Sequence, residues 1–421
     1  MLNFLLILLF VLFALFRTPL FAVISAIAIL SFLTAQTDLS AIVIEMVRLA
    51  NTSTLIAIPL FTFAGYILAE SNTPRRLVNL TQALFGWIPG GLAIVVLTSC
   101  AVFTAFTGAS GVTIVALGGL VFPALIKGNY SEKFSLGLVT TSGSLGLLFP
   151  PSLPLILYAL VAQVDVDKLF LAGIIPGILL VFLLSIYSIA RNYRAGITTQ
   201  KFSFQNLWRA TIDAIWEIPL PFIIIGGIYT GIFTVIEASV ITAVYVLIVE
   251  FFIYRDLSFK KDLPRIIKES MILVGGILII LASALGLTSY LIDAQVPMKI
   301  FEFIQKYISS KYTFLLLLNV FLLIVGMLMD IFSAIIVVVP IITPIALKFG
   351  VDPIHLGIIF LTNLEIGYLT PPVGLNLFIS SFRFEKPIMK IYISTLPFIL
   401  ILFVALLLIT YIPEISLFLV K

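Results

Sequence analysis

Apolar runs of about 20 residues recur from one end of this chain to the other, with only short polar stretches between them. A helix of that length, rising ~1.5 Å per residue, crosses the ~30 Å hydrocarbon core of a bilayer. The pattern predicts spanning segments at Thr54–Ala69, Leu169–Ile189, Ile212–Tyr229, Val235–Tyr254, Met271–Tyr290 and Ile391–Ile412. Met1–Phe16 and the apolar run after Arg17-Thr18-Pro19 predict a retained first helix or helix pair, since neither a basic leader nor a small-residue cleavage site stands there. Arg17 then snorkels to an interface. Two segments mix charges with apolar residues: Asp38–Asn51, with Glu45 and Arg48, and Leu77–Trp87, after the helix start Asn72-Thr73-Pro74. Both predict helices lying along the membrane surface.

Two regions depart from simple spans. Pro89–Lys127 runs about 39 residues with no charge before Lys127 and is interrupted by Thr107-Gly108-Ala109-Ser110-Gly111. Each arm is barely long enough to cross, which predicts a re-entrant helical hairpin with its tip inside the membrane. Two ordinary spans joined by a tight turn are the alternative. Tyr312–Ala346 has the same plan, broken at Gly326-Met327-Leu328-Met329-Asp330. Each hairpin precedes a helix split by a diproline: Lys133–Leu148 and Pro151–Val164 in the first half, Pro353–Leu369 and Pro371–Phe382 in the second. Pro123, Lys127, Gly146 and Pro150 match Pro344, Lys348, Gly367 and Pro371 at one constant spacing of 221 residues. Proline removes a backbone donor and breaks a helix. Lipid cannot satisfy the freed groups, so such breaks persist only where they are buried in protein or line a wet cavity. A Gly/Pro interruption at matching points of two halves therefore points to the binding site of a transporter.

Composition agrees with the periodicity. The chain of 421 residues is 61% hydrophobic and 10% charged, with a mean hydropathy of +1.23. A soluble chain carries roughly 25% charged residues, so this is an integral membrane protein with no sizeable soluble domain. One cysteine, Cys100, and one histidine, His355, exclude a disulfide framework and a histidine-rich metal centre. The net charge of +4 comes from two basic loops, one with Arg191, Arg194, Lys201 and Arg209, the other with Arg255, Lys260, Lys261, Arg265 and Lys268. Two crossings separate these loops, which places both on the cytoplasmic side. Trp87, Trp208 and Trp216 fall near the expected boundaries, where amphipathic rings settle. An intramembrane enzyme has little support, because neither a Ser/His constellation nor an HExxH motif stands out. Duplicated hairpins suit a gated carrier better than a passive channel.

Five stretches now combine: Ile58-Pro59-Leu60-Phe61, Gly108–Thr113, Gly143–Pro154, Leu171–Gly177 and Thr370–Phe378. In content and order they resemble the large membrane subunit of TRAP transporters, the tripartite ATP-independent periplasmic transporters, over essentially the whole chain. The resemblance implies an all-α polytopic membrane protein of the ion-transporter superfamily, with internal, most commonly inverted, repeats and an elevator-type transport domain moving against a scaffold. It implies sodium-driven import of an organic acid across the bacterial inner membrane. A periplasmic substrate-binding protein and a small four-helix membrane subunit, here a separate chain, are the implied partners. A self-sufficient sodium/dicarboxylate symporter of the same superfamily is the nearest rival. The expected division is scaffold and arm helices over 1–88, a first transport unit over 89–165, scaffold and connecting helices over 166–311, a second transport unit over 312–390, and a last membrane helix over 391–421.

Sodium is a hard cation that takes oxygen ligands, and an unwound helix offers carbonyls without a fixed charge. The resemblance places sodium where each hairpin tip meets its broken helix. The first set is Thr107 and Gly108 facing Ser144, Gly146, Phe149 and Ser152; the second is Gly326 facing Gly367, Thr370 and Val373. Helix N-termini at the tips and breaks would meet the substrate carboxylate, with Ser110, Thr113, Ser333 and Asn376 as neutral hydrogen-bonding groups. Without the duplication, these residues would read as kinks and close-packing positions. Three acids sit in apolar surroundings, where an ionisable group is a functional candidate. Asp330 is read as orienting the second tip, Glu365 as a coupling or structural acid, and Glu237 as a packing anchor. Arg383 is read as an interface residue, and His355 as a helix-start residue near Asp352-Pro353.

Overall fold

The computed structural model describes residues 19–88, 90–192, 201–308 and 310–420, and all regular structure among them is helical. Met1–Phe16, Arg17, Pro89 and Arg194 lie outside the described residues. Among the described residues seven helices are long and apolar enough to cross a membrane, or nine if each of two bent pairs is one span.

One group of helices gathers around Asp262–Asp293. Leu20–Thr34 packs along it, and Ser25 donates to the Ser283 hydroxyl at 2.9 Å. The Ser40–Ala50 helix leans on the same element and turns Val43, Ile44 and Val47 outward. An apolar outer face of that kind suits a helix at a lipid boundary. Ala57–Glu70 packs against Val235–Ile248, and the amphipathic Thr73–Phe85 helix starts with Pro74 in its first turn.

Three expectations change. The segment Ile212–Tyr229 is not one helix: Phe204–Asp213 ends before a turn, and Pro219, whose missing N–H suits a first turn, starts the separate helix Pro219–Tyr229. Arg265 and Lys268 belong to the first turns of Asp262–Asp293 and not to a loop, and Arg265 bonds Glu70 at 2.5 Å. Glu237 is exposed. It closes a capping box with Thr234, accepting from the Thr234 N–H at 2.8 Å while its own N–H donates to the Thr234 hydroxyl at 3.2 Å. Its apolar sequence neighbours hid a helix start.

The two duplicated regions fold into matching elements. Adding 221 to the limits of Ser110–Lys127 gives those of Ile331–Lys348, and Gly91–Thr107 and Lys311–Leu328 end at the same spacing. The halves differ in one detail: the first returns as two helices, Ser110–Ala116 and Gly118–Lys127, bent by 50°. Leu153–Ala162 packs on Ile331–Lys348, and Leu375–Phe384 packs on Ser110–Ala116. Each broken helix thus lays its second part on the other half's hairpin. The last long helix, Ile388–Tyr411, runs beside Glu132–Ser142, with Lys386 and Lys390 both 2.7 Å from Glu132 at that end.

Candidate functional site

The first tip forms because Gly108 stops a helix. It has φ +64, a left-handed value that glycine tolerates, and Ser110 begins the next helix after the extended Ala109. A Cβ on Gly108 would lie 2.7 Å from Leu153, so the tip is seated on the second part of the first broken helix. That broken helix runs Glu132–Ser142, tightens into a turn over Leu145–Leu148, passes the cis Pro150–Pro151 bond and resumes at Leu153–Ala162, bent by 45°. Thr104 ties tip to break, donating to the Gly143 carbonyl at 2.9 Å and sharing a 2.7 Å hydrogen bond with Thr113. Gly146 lies directly against the backbone of Ala101 and Ala105. Gly108 thus meets the second part of the broken helix at Leu153 and Gly146 meets the arm before the tip, while the Phe149 ring lies against Gly177. Thr107, Ser144 and Ser152 are buried chain neighbours of these contacts.

Buried hydroxyls without partners mark this contact. Thr107, Thr141 and Ser152 each have a buried hydroxyl oxygen with no hydrogen-bond partner among the described residues. A buried polar group left unsatisfied costs about 1–3 kcal/mol. Hydroxyl oxygens on glycine-rich backbone are the ligand type that a hard cation takes.

The second tip is built differently. Asp330 caps the Ile331–Lys348 helix, accepting from the Phe332 and Ser333 N–H groups at 3.0 Å each. It is exposed, so its role is that of a cap and not of a buried charge. Replacing it with alanine removes both bonds. We expect Asp330→Ala to lower stability by about 1 kcal/mol, read as an earlier thermal transition in detergent, while Asp330→Asn retains most of it. Tip and break are then stitched together. The Ile331 N–H donates to the Tyr368 hydroxyl at 2.6 Å, and the Val373 and Gly374 N–H groups reach the Met327 carbonyl at 3.3 and 3.4 Å. Gly326 and Gly367 touch backbone to backbone, with a Cβ on Gly367 only 2.5 Å from the Gly326 Cα. Thr370 bonds the carbonyls of Ile366 and Gly367, both at 3.0 Å. Pro371, Pro372 and Val373 are exposed, whereas Pro150 and Pro151 are buried, so the two breaks differ in access.

The substrate candidates divide in the same way. Ser110, Ser333 and Asn376 are buried at the starts of their helices. Asn376 donates to the Thr140 carbonyl at 3.4 Å and keeps an unpartnered Oδ1. Thr113 is committed to Thr104. Arg383 donates to the Val115 carbonyl at 3.0 Å, beside the bend in the first hairpin's return arm, as an interface residue does. His355 is buried in the first turn of Pro353–Gly367, between the Ser416 hydroxyl at 3.2 Å and the Thr410 carbonyl at 3.3 Å. Glu365 is 1% exposed. Thr104, Thr140 and Tyr368, which bind the halves and tips together, were not legible as site residues. Each is an ordinary polar residue in an apolar run, and only the tertiary contact gives it a role.

Two cavities of about 490 and 340 Å³ share Arg48 and Gln163 in their walls. They separate the Ser40–Ala50 helix from the end of Leu153–Ala162, and the smaller reaches Pro340, Thr343 and Pro344 of the second hairpin.

The family model for the tripartite ATP-independent periplasmic transporter, DctM component, matches residues 6–415. The C4-dicarboxylate TRAP transporter large permease protein DctM of Pseudomonas aeruginosa is 36% identical, over 93% of this chain and 91% of its own length. The isethionate TRAP transporter permease protein DctMQ of Oleidesulfovibrio alaskensis is 35% identical over 86% of this chain, which accounts for 58% of that longer protein. Among solved structures, the YdaH transporter of Alcanivorax borkumensis superposes with a TM-score of 0.62 over 96% of this chain and 97% of its own, at 15% identity, a likeness of fold. These relatives are transport permeases and not enzymes, and the apolar helices make this chain a multi-pass protein of the inner membrane. The chain belongs to the DctM component family of tripartite ATP-independent periplasmic transporters.

Proposed function

We propose that this chain imports an organic acid by sodium-coupled, elevator-type alternating access, as the large membrane subunit of a tripartite system. The observation that carries the reading is the first tip-to-break contact, where Thr107 and Ser152 hold unpartnered buried hydroxyls on opposite sides. The second tip offers the glycine-on-glycine approach of Gly326 and Gly367, which brings backbone carbonyls close. Sodium would be held by Thr107, Gly108, Ser144, Gly146, Phe149 and Ser152 in one half, and by Gly326, Gly367, Thr370 and Val373 in the other. A small carboxylate, the substrate class named for the Pseudomonas relative, would meet the helix starts near Ser110, Ser333 and Asn376.

Contacts at the hairpin roots support an inverted arrangement of the halves. Gly90, at the root of the first hairpin, sits against Ile189 near the end of Val166–Asn192, on the side assigned to the cytoplasm. The second hairpin's root carries Lys311 bonded to the Gly350 carbonyl at 2.7 Å. Its following helix runs from Pro353 toward Phe384, and Lys386 beyond it pairs with Glu132 just past the first hairpin's root. In this reading the hairpins would enter from opposite sides. The interlocked hairpins and broken helices would move together, and the cavities at Arg48 and Gln163 would lie on the boundary with the scaffold. Sodium and substrate must stabilise the movable state jointly, because a ligand of equal affinity for both states shifts nothing.

The tripartite reading implies a periplasmic binding protein and a small membrane subunit. We place the small subunit on a separate chain, although the Oleidesulfovibrio relative is named as a joined DctMQ protein. Reconstituted with both partners in proteoliposomes, the protein should accumulate a small carboxylate only under an inward sodium gradient. Thr107→Val should raise the sodium concentration for half-maximal uptake by about tenfold, the equivalent of one lost oxygen ligand at ~1.4 kcal/mol. Equal uptake in potassium would reject the coupling, and full uptake without the binding protein would reject the tripartite assignment.

A further inference from the structure

The Glu365 side chain is 1% exposed, and neither of its carboxylate oxygens has a hydrogen-bond partner. No lysine, arginine or histidine pairs with it among the described residues. On the same helix Thr362 donates to the Ile358 carbonyl at 2.7 Å, and the Asn363 amide nitrogen donates to Asn319 and to the Ile359 carbonyl, both at 2.8 Å, which leaves only the Asn363 Oδ1 without a partner. A bare charge in such a place is among the costliest groups a protein can bury. Its position makes the cost larger. Glu365 lies in the last turn of Pro353–Gly367, where the helix dipole presents its negative end.

Something must therefore neutralise Glu365. A proton would remove the charge but leave a hydroxyl donor with no acceptor, which is itself costly. A cation held by both oxygens removes the charge and satisfies both acceptors, and the negative helix end then favours it. Carbonyls for such a cation stand close in sequence, since among the described residues no backbone N–H reaches the Leu369 or Thr370 carbonyls.

We propose that Glu365 is a direct ligand for a monovalent cation, sodium, at the C-terminal end of Pro353–Gly367, giving the second half a charged ion site that the first half lacks. At the matching point 221 residues earlier stands Ser144, which carries no charge. The inference rests on the sodium-coupled reading above and makes the two halves unequal ion carriers.

The test uses the complete transporter in proteoliposomes, with sodium-22 and labelled substrate counted together, for wild type, Glu365→Gln and Glu365→Asp. Glutamine keeps the shape and removes the charge. Glu365→Gln should carry one sodium fewer per substrate and need about tenfold more sodium for half-maximal uptake, while Glu365→Asp keeps the wild-type ratio. Thermal unfolding in detergent, with and without sodium, supplies the second measurement. Sodium should stabilise wild type more than Glu365→Gln even where uptake is too weak to count. If wild type needs sodium but Glu365→Gln keeps both its ratio and its sodium stabilisation, Glu365 is a proton carrier or a packing group and the proposal is wrong. If wild type itself ignores sodium, the coupled reading fails first.

Discussion

Gly367→Ala should reduce sodium-dependent uptake by about 100-fold while Gly326→Ala keeps a measurable fraction. The two glycines face each other, yet their surroundings are unequal. A Cβ on Gly367 would lie 2.5 Å from the Gly326 Cα and 2.8 Å from its carbonyl oxygen. Both are backbone atoms, so no rotamer change relieves the clash, and the tip must move. On Gly326 the nearest atoms lie 3.0–3.2 Å away, and the first is the Leu364 side chain, which can give by a few tenths of an ångström. Overpacking typically costs ~1–3 kcal/mol. Here the displaced group is the tip itself, held by the Tyr368 hydroxyl and the Met327 carbonyl. Shifting it disturbs the ion ligands and the start of Ile331–Lys348 together, and 1–3 kcal/mol of lost coupling is roughly 5–150-fold. The measurement is initial uptake against sodium concentration, on variants that elute from size exclusion as wild type does. Wild-type uptake by Gly367→Ala would show that tip and break do not touch during transport.

Much of this architecture was readable because it is written in backbone chemistry. Helices stop at Gly108 and at the two diprolines, while Pro123 and Pro344, matched at the same spacing of 221 residues, lie inside helices. The tip at Gly108 follows from a positive φ that glycine allows and the breaks at both diprolines from missing donors, which are local properties, whereas the second tip follows from the Asp330 cap. Side-chain pairing is another matter. Glu237 and Asp330 looked buried because their sequence neighbours are apolar, but each sits at a helix start, where a carboxylate accepts from free N–H groups. Glu217 fell inside an apparent span, and Pro219 and the turn before it put it elsewhere. Thr104 and Thr140 matter through partners 39 and 240 residues away, Gly143 and Ser380, a separation that no local pattern encodes.

Arg76→Leu should destabilise the protein by about 3–5 kcal/mol at neutral pH, the usual cost of removing one partner from a buried ion cluster, and acid should relieve part of the loss. Among the described residues Arg76 is the sole cation paired with three carboxylates. Its Nε donates to Glu217, Nη2 to Glu250 at 2.9 Å and Nη1 to Asp256 at 2.7 Å, and its guanidinium stacks 3.8 Å over the Tyr254 ring. The cluster pins the Thr73–Phe85 arm to the turn before Pro219 and to the end of the Val235–Ile253 span. Burial lowers the affinity of Arg76 for its proton, but the charges of Glu250 and Glu217 outweigh burial and hold it more firmly charged than usual. Burial pushes the Glu217 carboxyl up, and Arg76 pulls it only part of the way back. Burial also pushes Asp256 up, but hydrogen bonds from Asn72 and Arg76 leave it below its ordinary value. The signs then follow from linkage. Asp256, depressed in the folded state, adds stability above its unfolded value, and that contribution disappears as pH falls through the folded one. Glu217, raised in the folded state, is a penalty at neutral pH that acid removes. Without Arg76 both carboxyls rise, so the variant gains more from protonation than wild type does. The difference in apparent unfolding temperature, roughly 10 °C at pH 7.5, should narrow at pH 5, and adding Glu217→Gln to Arg76→Leu should recover part of it at pH 7.5. A gap that is the same at both pH values would mean that Arg76 acts by packing on Tyr254 and not by charge.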